Sequence, residues 1–174
     1  CMSGHKMYAP KGIGALYFRQ RLDLFKLTPF THGGGQEHGI RSGTLNVPGI
    51  VGLGKACEIA KVEMFKDANR IESLRNKLEN ELLKISGTFV NGSKEKRLYN
   101  VSNLTFPNVD ANVLIGKMRN IAVSNGSACK AAAMEPSHVL RAMGLSEDEA
   151  FGTIRFSLGR FNTMQEVEYV VSAI

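Results

Sequence analysis

The chain has 174 residues, 43% hydrophobic and 22% charged, and 22 Lys and Arg against 16 Asp and Glu leave a net charge of +6. That composition excludes disordered, collagen-like and disulfide-framed classes, and no apolar run approaches the roughly 20 residues of a membrane-spanning helix. The basic residues are interspersed with acidic ones and form no aromatic-rich patch, so the charge reads as solvated surface and not as a nucleic-acid interface.

Three cysteines, Cys1, Cys57 and Cys129, form no CxxC pair and no Cys/His metal spacing. An odd count is a poor disulfide framework, so a reducing, cytoplasmic setting without a resident metal fits best. The chain opens on Cys1-Met2-Ser3-Gly4-His5-Lys6 and closes within an amphipathic pattern ending at Ile174, which reads as a piece of a longer polypeptide.

In chain order, the glycine-led apolar run over 12–18 predicts a buried strand that emerges into solvent at Arg19. Residues 31–44 hold five glycines among polar side chains, the composition of a loop with special backbone demands. Ile50, Leu53, Ala56 and Ala60, then Ile71, Leu74, Leu78, Leu82 and Ile85, recur at helical spacing and predict two consecutive helices or one bent helix. Beyond Gly87, residues 88–90 and 101–106 read as strands around a turn-rich stretch. Asp110 caps a helix through Leu114 and Met118, and 121–124 reads as a further strand. Pro136-Ser137 introduces a helix that Gly144 ends, Ser146 and Glu149 have capping-box spacing, 153–158 alternates as a strand, and Thr163 caps the last helix. From about residue 65 the order is αββαβαβα in outline, a two-layer α+β domain.

Four features can carry chemistry. Lys6 is either a solvated surface charge or, in a short polar turn before an apolar run, an amine able to form an imine with an aldehyde cofactor. Cys129 lies in a run of small residues, 124–138, and is either a buried structural cysteine or a thiolate in an exposed loop beside Lys130. Cys57, among Ala56, Ile59 and Ala60, reads as helix packing. Arg155 falls mid-strand, where a charge needs a partner, and a guanidinium there binds the carboxylate of a substrate or of a structural Asp or Glu. The glycine-rich loop with its triple glycine at 33–35 could bind phosphate through backbone N–H groups, yet it matches neither the P-loop nor the dinucleotide fingerprint.

Together the motifs resemble one family. Ser3-Gly4-His5-Lys6 with Pro10-Lys11-Gly12, Gly33-Gly34-Gly35-Gln36-Glu37 through Arg41-Ser42-Gly43-Thr44, Gly126-Ser127-Ala128-Cys129 with Glu135-Pro136-Ser137-His138, and Ile154-Arg155-Phe156-Ser157-Leu158-Gly159-Arg160 occur in the order found in pyridoxal-phosphate-dependent cysteine desulfurases of the NifS/IscS type. The resemblance implies an α/β fold of the fold-type I transferases, with residues 1–64 the tail of the large cofactor domain and 65–174 the small α+β C-terminal domain. It implies Lys6 as the Schiff-base lysine, Ser3 and His5 as cofactor contacts, Thr44 as a contact to the cofactor phosphate of the partner subunit in a homodimer, Cys129 as the persulfide-forming nucleophile and Arg155 as the holder of the substrate carboxylate. It further implies pyridoxal phosphate as cofactor, L-cysteine as substrate, L-alanine as product, and an iron–sulfur scaffold or a tRNA-thiolation relay as sulfur acceptor.

The long segment from Ser124 to Pro136 resembles the class whose extended loop delivers sulfur to a separate protein. Asn125 stands where serine is usual, Lys130 where threonine is common and His38 where arginine is frequent. The residues that would pair with the cofactor's ring nitrogen and stack on the ring precede the lysine in the family and are not in this chain, so the 174 residues alone are expected to be poorly active. An aminotransferase or selenocysteine lyase, which needs no Cys129, and a non-catalytic interaction module are the alternatives.

Overall fold

The computed structural model describes residues 1–19, 27–125 and 136–174. They form two compact units, Cys1–Met64 and Phe65–Ile174.

In the first unit the backbone doubles back tightly. Strand β1 (Met2–Ser3) pairs antiparallel with β2 (Gly14–Ala15), Met2 opposite Ala15 and Ser3 opposite Gly14. The approach leaves no room for side chains: a Cβ on Gly14 would lie 2.5 Å from the Met2 carbonyl oxygen, and one on Gly4 would lie 2.9 Å from Ile13 Cγ2. The predicted buried strand over 12–18 is therefore corrected to a two-residue pairing, with Leu16, Tyr17 and Phe18 exposed. Among the described residues its only strand partner is the two-residue β1, too little surface to cover an apolar run.

Helix α1 (Val47–Leu82) is one continuous element and not two. Asn46 caps it, its Oδ1 accepting the Gly49 N–H at 3.1 Å, and Pro48 falls in the first turn, where its missing N–H costs nothing. Gly52 meets the ring of Pro10, and Ala56 is buried. Cys57, one step of about 100° further round the helix, is exposed, which corrects its reading as a packing residue.

The second unit is an antiparallel sheet of β3 (Phe89–Val90), β4 (Val101–Thr105) and β5 (Thr153–Ser157) in the order β3-β4-β5. Its period of two sends Leu104, Ile154 and Phe156 to one face, where they join Ile71, Leu74, Leu78 and Leu82 of α1 and Val167 of α5 (Met164–Ala173) in a single core. Leu104 and Ile154 are fully buried, each contributing about 1.5–3 kcal/mol by area. Phe106 meets Phe156 edge to face with centroids 6.5 Å apart.

Polar chemistry ties α1 to the same sheet face. Glu79, buried, accepts two hydrogen bonds from Arg97 at 2.6 and 2.8 Å and one from Ser102 Oγ at 2.5 Å. Asp67 pairs with Arg160 at 2.8 Å, and Arg70 donates to the carbonyls of Arg160 and Asn162.

Short capped helices complete the unit. Asp110 caps α2 (Ala111–Lys117) by accepting the Asn112 and Val113 N–H groups, and α3 (His138–Ala142) ends ahead of Gly144 at φ 93°. Capping boxes open α4 (Glu147–Phe151), from Ser146 and Glu149, and α5, from Thr163 and Glu166. The strand predicted over 121–124 reduces to a single bridge between Ser124 and Arg155. No helix among the described residues is long and apolar enough to cross a membrane.

Candidate functional site

Ser3, His5 and Lys6 are brought together by the first unit's turn. After β1 the chain winds into one 3₁₀ turn, Gly4–Met7, closed by Tyr8 in the left-handed region at φ 65°. The Gly4 N–H donates to the Ile13 carbonyl at 2.8 Å, and the Gly4 carbonyl accepts the Ala9 N–H at 3.1 Å. Gly4 is buried as the pivot, which pushes the side chains of Ser3, His5 and Lys6 outward, all three exposed. Lys6 has no ion-pair partner among the described residues.

Thr44 lies in the glycine-rich loop. That loop bridges Thr31 to Arg41 and turns through three successive left-handed residues, Glu37 at φ 50°, His38 at 58° and Gly39 at 78°. Two of those are not glycine, a conformation that costs about 1 kcal/mol or more per residue, so the loop is held by its own bonds. Ser42 Oγ donates to the Gly34 carbonyl at 2.7 Å, Gln36 Oε1 accepts the Gly43 N–H at 3.1 Å, and Arg41 donates to the carbonyls of Gly43 and Thr44. Thr44 is exposed at the end of this arch.

Arg155 belongs to the second unit. It sits at the middle of β5, opposite Asn103 of β4 on one side and Ser124 on the other. Its backbone exchanges both bonds with Ser124, N–H to Ser124 oxygen at 2.6 Å and carbonyl from the Ser124 N–H at 3.3 Å. The side chain is half-buried, and its Nε–H is buried with no acceptor. No carboxylate pairs with it among the described residues, so of the two readings open from the sequence the structural ion pair has no partner here. Cys129 lies outside the described residues. Among them no three His, Cys, Asp or Glu side chains gather as a metal site.

The neighbours of Arg155 escaped the sequence reading: Asn103 and Thr105 on β4 and Thr153 on β5, which share with it the sheet face away from the Leu104–Ile154 core. The signal was present in the alternation of both strands, whose second face carries these polar residues, with Thr105 and Thr153 at 0% exposure.

The Aminotransferase class-V model matches residues 1–170. Over 171 residues the chain is 49% identical to the cysteine desulfurase IscS of Haemophilus influenzae, covering 98% of this chain and 42% of that protein. The structure of a NifS-like protein superposes with a TM-score of 0.84 at 40% identity, over 98% of this chain and 43% of that one. SspA, solved in complex with cysteine, superposes with a TM-score of 0.67 at 40% identity, over 92% of this chain and 44% of its own. The chain thus spans less than half the length of these relatives, and in sequence and in fold it belongs to the aminotransferase class-V family.

Proposed function

We propose that this chain supplies the lysine-bearing segment and the small C-terminal domain of a pyridoxal-phosphate-dependent cysteine desulfurase, residues 1–64 belonging to the large cofactor domain and 65–174 to the small one. The observation that carries the reading is Arg155: a half-buried guanidinium in the middle of a strand, with a buried Nε–H and no carboxylate partner among the described residues, suits the carboxylate of an amino-acid substrate. Likeness to IscS and to a protein that binds cysteine favours L-cysteine as that amino acid.

The residues present fit the cofactor at its aldehyde end. Lys6 projects from a turn whose pivot, Gly4, has no space for a side chain, so the backbone that carries it is fixed while its amine stays open to solvent. Ser3 and His5 flank it, and Thr44, on its braced loop, would serve the phosphate of a partner subunit's cofactor. Pyridoxal phosphate, when bound, supplies the electron sink that makes an amino acid's Cα proton removable.

The chain's own groups do the rest. Arg155 holds the substrate carboxylate, and the free Lys6 amine takes the Cα proton and later returns it. The Cys129 thiolate attacks the substrate sulfur, an S–S bond forms as the Cβ–S bond breaks, and the electron pair left on the carbon side is quenched by a proton to give alanine. The persulfide then passes to an acceptor protein of iron–sulfur assembly or tRNA thiolation in the cytoplasm. Residues outside this chain would face the ring nitrogen, so the 174 residues alone turn over cysteine poorly.

A chimera of Haemophilus influenzae IscS carrying this chain in place of its matching segment tests the reading. It forms alanine and sulfide from cysteine. Lys6→Ala abolishes alanine formation together with the visible absorbance of bound cofactor, whereas Cys129→Ser keeps the absorbance and loses sulfur transfer. Undiminished turnover in Cys129→Ser would move the assignment to an aminotransferase or selenocysteine lyase.

A further inference from the structure

On the sheet face away from the core, polar side chains form a directed chain. Thr153 Oγ1 donates its one hydrogen to the backbone carbonyl of Glu149 at 2.7 Å. A carbonyl only accepts, so that hydrogen is committed. Thr105 Oγ1 lies 2.8 Å from Thr153 Oγ1 and must therefore be the donor of the two. With its own hydrogen spent, Thr105 can only accept from Asn91, whose Nδ2 lies 2.8 Å away. The second hydrogen of Asn91 Nδ2 goes to Asn103 Oδ1, also at 2.8 Å.

The orientation of the Asn103 amide follows from this sequence of constraints. Turning the Asn91 amide over would set its oxygen against the Thr105 oxygen, which has no hydrogen left to give. Asn91 therefore keeps its orientation even though its own Oδ1 is buried without a partner. Asn103 consequently presents oxygen toward Asn91 and leaves Nδ2 turned away from it, on the β5 side. There its directly opposed neighbour is Arg155, and opposed antiparallel residues place their Cβ atoms about 4.5–5.5 Å apart on the same face. No bond from Asn103 Nδ2 exists among the described residues.

The consequence is two donor groups side by side: a guanidinium with an unanswered Nε–H, and beside it an amide N–H₂ fixed donor-outward. Such a pair suits a ligand that only accepts, and a carboxylate is the anion whose two oxygens match two converging donor groups. We propose that Asn103 is a second reader of the substrate carboxylate, acting with Arg155 and held in its donor orientation by the Glu149–Thr153–Thr105–Asn91 relay. This rests on the assignment of Arg155 to the substrate carboxylate and adds to it a discrimination: an amide or ester, which presents a donor or a blocked oxygen, is refused by the pair.

The test uses the full 174-residue chain and ¹H–¹⁵N NMR of the Asn103 side-chain amide and the Arg155 Nε–H, titrated with sodium propionate and separately with propionamide, against sodium chloride at equal ionic strength. Propionate shifts both resonances and propionamide shifts neither. Asn103→Ala weakens propionate binding about tenfold, the loss of one charge-assisted hydrogen bond, while the Arg155 signal still responds. The unsubstituted chain alone decides the matter should a variant fail to fold. A propionate response at Arg155 without one at Asn103 overturns the proposal and leaves the Arg155 assignment standing. No response at either overturns both.

Discussion

Burial and charge pull Glu79 in opposite directions. Desolvation pushes its carboxyl up, but the hydrogen bonds from Arg97 and Ser102 and the charges of Arg97 and Arg75 outweigh it, holding the group below the ordinary carboxylate range. A carboxyl lowered in the folded state stabilises the fold above its unfolded value and loses that contribution as the pH falls through the lowered one. Glu79→Gln should therefore cost about 3 kcal/mol at neutral pH, where it leaves Arg97 facing a neutral amide, and that gap should narrow on acidification below the ordinary carboxylate range. Urea midpoints of the two proteins across that range check this; a gap independent of pH would assign Glu79 a role of shape and not of charge. Arg75 beside it has its own value lowered, chiefly by burial and then by Arg97, with Nε and Nη1 lacking partners among the described residues. Composition alone does not disclose such a site, because a charged residue on an amphipathic helix reads as solvated until the strand that covers it is known.

Elements defined by local chemistry were legible in the sequence, and those defined by distant partners were not. Asp110, Ser146 and Thr163 each cap a helix through their own backbone neighbourhood, so a few adjacent residues suffice to place the start. The runs at 12–18 and 121–124 have the composition of strands, yet a strand exists only where another edge accepts its ladder, and here the partners amount to two residues and one bridge. The same reasoning covers the candidate site: the motifs mark Lys6, Thr44 and Arg155 one by one, whereas the row through Asn91 and Asn103 appears only once the register is known. Glycines divide on similar lines. Gly116, inside α2, has open space where a side chain would go, so Gly116→Ala should stabilise the protein by about 0.5–1 kcal/mol. At Gly152 a Cβ would come 2.4 Å from the Phe106 carbonyl oxygen, and Gly152→Ala should destabilise by about 1–3 kcal/mol as β5 is forced aside. Thermal unfolding of both variants reads out the pair of opposite signs; equal signs would discount the space argument.

Across the whole molecule the buried apolar residues are unevenly shared. Among the described residues, the buried hydrophobics apart from Ala56 belong to the second unit, while the first leaves Leu16, Tyr17 and Phe30 exposed. Resistance to opening follows buried contacts, so amide hydrogen exchange should show slow exchange in β4, β5 and the second half of α1, and fast exchange through residues 1–19 and 27–46. Equal protection in both units would contradict that division.

Glu149 holds two posts: its carboxylate accepts the Ser146 N–H at 2.7 Å to start α4, and its peptide oxygen receives Thr153. A peptide oxygen survives every substitution of the side chain that bears it, so the terminus of the relay is immune to ordinary mutation at that position. What remains heritable is its location, which the cap adjusts. Sequence drift at exposed Ser146 thus offers a route for retuning the proposed carboxylate recognition without altering any residue of the polar row.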